Sequence, residues 1–292
     1  MAGREKARVN EKRLTIAIPA SVISDTPHLR EKTAKLGLIG RAAAIFRVDD
    51  IVVYRDSQKE KQSAELDLIA MLLSYLETPQ YLRKSLFKIE PRLQYAGILP
   101  PLRTPHHPVN RKARNLKVGE YVEGLVTSSA KEGLQVDIGV EVPALLRDRQ
   151  YKVGERLTLQ IVNAGERVEV QASNREDVPE YWGYKVTVEH GSLKGVMNSV
   201  RADLTIGTSR KASAFADIAE KVAGKWKSAN SILLVFGAPS RGLNEIARDE
   251  GWQLREFLDF VVNTIPKQGT ETVRTEEAVL ASLAILNVWF GF

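Results

Sequence analysis

The sequence predicts an α/β protein with a parallel sheet, interrupted by a small all-β module. Three observations carry this. Ahead of residue 90, strand, helix, strand and helix patterns follow one another, the order that builds parallel sheets. Short segments of strand character, separated by glycine and charge clusters, then fill the middle of the chain. Towards the C-terminus, two adjacent apolar strands each run into a Gly/Pro loop that opens a helix.

Taken in order, residues 1–12 read as a charged arm, and 13–19 (RLTIAIP) as a buried strand closed by its proline. A helical stretch follows over 26–46, then a strand at 50–54 (DIVVY). Residues 64–76 place Leu66, Ile69, Leu72, Leu73 and Leu76 on one helical stripe. Residues 91–179 form the all-β module, with strands expected at 121–127, 133–139, 142–146, 156–162 and 167–170. Their alternation and close spacing suggest an antiparallel barrel of OB-like type, a class that binds oligonucleotides or serves as a structural spacer. The α/β pattern resumes with strands at 184–188 and 202–206 and a helix over 214–226. Strands at 231–236 and 257–262 then precede the last helix, which starts near Ala278. The expected domains are therefore 1–90 and 180–292 as two parts of one α/β domain, with 91–179 inserted.

Composition narrows the chemistry. The 292 residues are 43% hydrophobic and 27% charged, ordinary for a globular protein. No apolar run approaches the ~18 residues of a membrane span, and no signal region follows the basic N-terminus, so a soluble cytoplasmic protein is expected. The absence of cysteine excludes disulfides, thiolate zinc sites and a cysteine nucleophile. Four scattered histidines make no metal site; the His106–His107 pair, flanked by prolines, reads as a solvated loop. A net charge of +6 leans towards a polyanion, and Arg103, Arg111, Lys112, Arg114 and Lys117 fall in one stretch without an acid.

The two late loops are where a ligand belongs, at the carboxyl ends of adjacent strands. Residues 237–242 (GAPSRG) have the outer spacing of a phosphate loop, but Leu243-Asn244 replaces its lysine and hydroxyl residue. A Gly-lined loop open to ligand approach remains, or a plain tight turn. In the loop over 263–278, Thr275 suits a helix N-cap, and Glu276 and Glu277 suit the positive first turn. Gln268, Gly269, Thr270 and Arg274 beside them suit a polar small molecule. Arg41, in an apolar helical segment, either snorkels to water or faces the cleft as a cation.

Together, 41–46 (RAAAIF) with 50–54, 207–210 (GTSR), 235–243 (VFGAPSRGL), 263–270 (NTIPKQGT) and 273–278 (VRTEEA) resemble the SPOUT class of RNA methyltransferases, the α/β-knot enzymes. The resemblance is to the archaeal–eukaryotic branch carrying an OB-like barrel within the knot domain, and it covers nearly the whole chain. It implies a trefoil knot in the last units and S-adenosyl-L-methionine bound bent within it. Backbone groups around Gly237, Gly242, Ile265 and Gly269 would hold adenine and ribose, with Thr208, Arg210, Asn263 and Gln268 nearby. Pro239, Thr270, Thr272 and Thr275 would complete the pocket. It further implies a homodimer with the active site completed across the interface, and Arg41 as the catalytic arginine near the methyl acceptor. A guanidinium stays protonated near neutrality, so its role would be electrostatic.

The expected function is methylation of a ring nitrogen or ribose oxygen of structured RNA, rRNA or tRNA, with neither metal nor membrane involved. The alternatives are a non-catalytic RNA-binding or ribosome-assembly factor that keeps the knot as a dimer scaffold, and a protein methyltransferase.

Overall fold

The computed structural model describes residues 12–109, 112–165 and 167–292. In chain order, strand β1 (Arg13–Pro19), helix α1 (Leu29–Ile45), strand β2 (Asp50–Tyr54) and helices α2 (Ser63–Glu77) and α3 (Gln80–Leu86) come first. Five strands follow: β3 (Tyr121–Ala130), β4 (Gly133–Asp137), β5 (Ala144–Leu146), β6 (Arg156–Ala164) and β7 (Val168–Ala172). Next come β8 (Lys185–Glu189), α4 (Leu193–Val200), β9 (Leu204–Thr208) and α5 (Phe215–Ser228). The chain closes with β10 (Ser231–Val235), α6 (Leu243–Asp249), β11 (Phe260–Val262) and α7 (Thr275–Phe290). Two compact units result: 12–77 with Pro91–Pro101 and Gly183–Phe292, and Thr78–Glu90 with Leu102–Trp182.

The first unit is a six-stranded parallel sheet in the order β11-β9-β10-β1-β2-β8. Its central strands are apolar throughout because both faces are covered, as parallel sheets require. Ala17, Val52, Tyr54, Leu233 and Val235 share one core with Leu193 and Val196 of α4 and Leu243 and Ile246 of α6. The alternate residues Ile16, Ile18, Ile51, Val53, Ile232 and Leu234 are equally buried and point to the other face. There α2 packs on β2 and β8, and α2, α1, α7 and α5 lie side by side.

Differences from the sequence pattern have physical causes. Helix α4 has no counterpart in the sequence pattern. Ser192 accepts from the Gly195 N–H, but the helix's first N–H groups are satisfied by Glu250, which accepts from Leu193 and Lys194 at 2.9 and 3.1 Å. The last strand, expected over 257–262, is only Phe260–Val262; Leu254–Glu256 is a 3-10 turn, and the Leu258 N–H bonds back to the Leu254 carbonyl at 2.8 Å.

The second unit holds a closed barrel in the order β3-β4-β5-β7-β6, with Val136, Ile138, Leu159 and Ile161 in its core. Four pairings are antiparallel; β5 and β7 pair in parallel, which strand alternation alone does not distinguish. Buried Glu123 of β3 accepts from Arg156 Nε at 2.6 Å, Thr158 Oγ1 at 2.8 Å and Trp182 Nε1 at 2.5 Å, so its charge is paired and its lone pairs are used. His106, expected in a solvated loop, is instead 1% exposed, its ring packed between His107 and Trp182. Among the described residues no helix is long and apolar enough to cross a membrane, and no group of acidic or imidazole side chains could hold a metal.

Acid stability follows from two carboxylates. Burial alone would raise Asp259, but the Lys225 ammonium and the N–H and hydroxyl of Thr205 outweigh it and hold the group below the ordinary carboxylate value. Asp25 is likewise lowered, burial being outweighed by Lys35 and the Thr26 hydroxyl. Because both folded values are depressed, their stabilisation is fully present above the unfolded value of about 3.9 and is lost as pH falls through the folded values. Thermal unfolding followed between pH 6 and pH 2 is therefore expected to show a Tm that drops in the acid limb. Asp259→Asn should flatten part of that drop.

Candidate functional site

Strands β9, β10 and β11 end level: Gly207 pairs beside Val235, and Thr208 beside Val262. The segments leaving these three carboxyl ends wall one cavity of about 340 Å³. That size falls in the roughly 300–1,000 Å³ of small-molecule sites, and the position is where open parallel sheets bind ligands.

Thr208 and Arg210 reach the wall from β9, and Gly237, Pro239 and Gly242 from β10. Asn263, Ile265, Gln268, Thr272 and Thr275 reach it from β11 and the first turn of α7. Gly269 and Thr270 share that loop but lie outside the wall, and a Cβ at Gly269 would meet only open space. Phe236, Asn244, Glu245 and Thr264, which the sequence pattern did not single out, also line the cavity. Arg41 does not. It is on α1, half-buried, with Nη1 donating to the Pro101 carbonyl at 3.0 Å. Arg103, Lys112, Arg114 and Lys117 are exposed in the second unit, and Arg111 lies outside the described residues.

Several polar side chains of the wall are spent on shaping it. The Asn263 amide donates to the Arg210 carbonyl and accepts from the Ile265 N–H, both at 3.0 Å. Arg210 donates to the Glu271 carbonyl, and the Gln268 amide to the Thr270 and Glu271 carbonyls. Thr275 is not the N-cap of α7. Arg274 takes that place, with its N–H donating to Glu277 at 2.9 Å, and the Thr275 hydroxyl turns instead to the Gly237 carbonyl at 3.3 Å. One hydroxyl thus ties the β10 loop to the start of α7.

The β10 loop is held from outside by residues no local pattern indicated. At Gly237 a Cβ would stand 3.1 Å from the Leu243 nitrogen and 3.2 Å from the Arg241 carbonyl, so glycine permits the turn. The Tyr54 hydroxyl donates to the Phe236 carbonyl at 2.7 Å. Burial, reinforced by the charges of Asp56 and Glu250, pushes this phenol well above its ordinary value, so it stays a donor across the neutral range. Arg241 Nη2 donates to the Asp56 carbonyl and carboxylate at 2.8 and 3.1 Å. The buried Asp56 carboxylate also accepts from the N–H and hydroxyl of Ser21 and from the Gln62 amide. Arg241 in a Gly/Pro loop was the only trace of this clamp in the sequence.

Chemically, the cavity combines apolar surface from Ala238, Pro239, Val262, Ile265 and Ala278 with loop backbone, hydroxyls and amides. It suits a ligand with a flat heterocycle and polar substituents, and it offers no thiol nucleophile.

Residues 13–286 match the family described as "Putative RNA methyltransferase". The chain is 31% identical to the 28S rRNA (uridine-N(3))-methyltransferase of Drosophila melanogaster, over 97% of its own length and 63% of that protein's, so it spans less than two thirds of the fly relative. It is 32% identical to the protein of the same name from Homo sapiens, covering 94% of the chain and 77% of the human protein. An uncharacterised protein of Halobacterium salinarum is 32% identical, with 94% of the chain and 98% of that protein covered. The chain therefore belongs to this RNA methyltransferase family.

Proposed function

We propose that the protein is an S-adenosyl-L-methionine-dependent RNA methyltransferase of the SPOUT class, acting on a ring nitrogen of uridine in ribosomal RNA, in the cytoplasm. The observation that carries the reading is the cavity at the ends of β9, β10 and β11, which gathers the residues expected to hold the methyl donor, apart from Gly269 and Thr270. The names of the fly and human relatives supply the uridine nitrogen.

The cavity fits the donor. The crowded backbone at Gly237 and the apolar side chains of Pro239 and Ile265 suit a flat adenine, and the hydroxyls of Thr208, Thr272 and Thr275 suit ribose and a polar tail. When bound, the donor supplies a methyl group on a positively charged sulfur. The chain's part is to position: loops tied to one another by Asn263, Arg210 and Thr275 keep their geometry before the ligand arrives, which lowers the cost of ordering. Arg41, steadied by the Pro101 carbonyl, stabilises the acceptor as it loses its proton.

The protein acts as a homodimer through α1 and α7. Leu38 and Ile45 on α1, and Leu280, Val288 and Trp289 on α7, are exposed apolar side chains on helices that pack side by side, the kind of patch that marks an interface. Arg41 lies three residues beyond Leu38 and four before Ile45, on the same stripe of α1, so the partner's cavity is where it would act. The last strands pass through a trefoil knot. The barrel is OB-like, in keeping with its closed five-strand order and single parallel pair, and binds RNA phosphates through Arg103, Arg111, Lys112, Arg114 and Lys117.

Calorimetry with S-adenosyl-L-methionine should show saturable binding that Gly237→Val weakens at least about tenfold and Gly269→Ala leaves intact; silence towards both the donor and S-adenosylhomocysteine would sink the enzyme reading and leave the dimeric RNA-binding scaffold. Asp56→Ala should lower stability by about 1–3 kcal/mol in urea unfolding, the cost of unsatisfied buried partners, and weaken donor binding by releasing the loop. Arg41→Ala should abolish methyl transfer to RNA while donor affinity stays within about twofold; a variant as active as the parent removes Arg41 from the reaction. Filter binding with Lys112→Ala plus Arg114→Ala should reduce the salt dependence of RNA affinity by roughly 0.7–0.9 in log–log slope per charge removed. An unchanged slope would take the barrel's basic loop out of the interface.

A further inference from the structure

A second cavity of about 350 Å³ adjoins the first. Pro239, Ser240, Thr272 and Val273 line both, while Ser24, Asp25 and Arg274 line only the second. The two spaces therefore share a wall built from the β10 loop and the segment before α7. A group handed from a ligand in one to a ligand in the other would cross where these four residues border both spaces.

A buried cation holds one of the residues that line the second cavity, Asp25. Lys35 of α1 has a side chain only 5% exposed; its Nζ donates to both oxygens of Asp25 at 2.6 and 2.8 Å and lies 3.3 Å from Glu276 Oε2. A buried ammonium is tolerated when opposite charges surround it, and these two carboxylates come from different elements. Lys35 thereby fixes the loop carrying Asp25 to the first turn of α7, whose N-cap is Arg274. Asp25 remains partly exposed, so it keeps acceptor capacity towards the cavity, and the exposed Arg274 brings a planar set of donors. Hydroxyls of Ser24, Ser240 and Thr272 add groups that donate or accept.

An acceptor and a donor held apart on two braced elements match a heterocycle whose edge shows a carbonyl oxygen next to a ring N–H, as uracil and guanine do. Enzymes that modify a base take it out of its stack into such a pocket. We infer that the second cavity receives the RNA base that accepts the methyl group, with Arg274 donating to its carbonyl oxygen and Asp25 accepting from the ring N–H, whose proton must leave before that nitrogen takes the methyl group. This rests on the methyltransferase reading above.

The test uses the full chain with S-adenosylhomocysteine and random-sequence oligoribonucleotides carrying either 4-thiouridine or 6-thioguanosine. After irradiation, crosslinked peptides are mapped by mass spectrometry. Crosslinks at residues 24–25 or 272–274 are expected, and the thio-base that forms them identifies the base. Arg274→Ala, at an exposed position, should lose these crosslinks and raise the KM for RNA about tenfold, while donor affinity by calorimetry stays within about twofold. Asp25→Asn is the poorer variant because it leaves Lys35 buried beside a neutral amide.

Crosslinks confined to other segments would overturn the proposal. So would an Arg274→Ala protein whose donor affinity falls as far as its RNA affinity, since the second cavity would then be part of the donor site. Parent protein that binds neither donor nor product overturns the methyltransferase reading itself, and this pocket with it. Those two failures are read in separate measurements.

Discussion

Away from its two edge strands, a parallel sheet buried on both faces leaves backbone N–H and C=O groups without ladder partners only at the strand ends, and the functional part of this protein is built around that constraint. β9, β10 and β11 stop level, and each must leave the sheet through a loop. The segments settle their own backbone groups by bonding to one another, the Ser209 N–H to the Val262 carbonyl and the Phe215 N–H to the Asn263 carbonyl, or within one turn, the Ala238 N–H to the Arg241 carbonyl. What they cannot fill is the cavity between them. A ligand pocket at this edge is thus a consequence of the sheet order, and the side chains decide its chemistry.

Two charged clusters brace this edge from the sides. Asp56 draws Arg241, and with it the β10 loop, onto the end of β2. Lys35 draws the Asp25 loop and the start of α7 together. Paired buried charges are seldom a net source of stability against a well-packed apolar alternative. Their value here is directional: each specifies one loop position, where apolar contacts would accept several. The Thr275 hydroxyl on the Gly237 carbonyl joins the two braced regions.

The barrel is a separate solution to a different problem. It closes its own hydrogen-bond ladder, so it exposes no long unpaired edge, and its core is independent of the sheet's. Its buried charge, Glu123, is satisfied within the same unit by Arg156, Thr158 and Trp182. The exposed basic residues of its entry segment are left to solvent or to a polyanion.

What depends on neighbours along the chain is legible in the residues themselves. Strands β1 and β2 are apolar runs closed by a proline or by charge, and they form at the positions the pattern indicates. The strands of the barrel alternate, and the segments after β10 and β11 carry the glycine and proline that prevent a strand from continuing. Whatever needs a partner far away arises only in the folded chain. Helix α4 is capped by Glu250, 57 residues on, and Arg241 meets Asp56 across 185 residues. His106 is buried because Trp182 covers it, and Thr275 gives up the helix cap because the Gly237 carbonyl is within reach. Local periodicity reports which face of an element is apolar. It carries no record of which distant donor, acceptor or ring the folded chain will set against it, and those pairings are what make the strand ends a site.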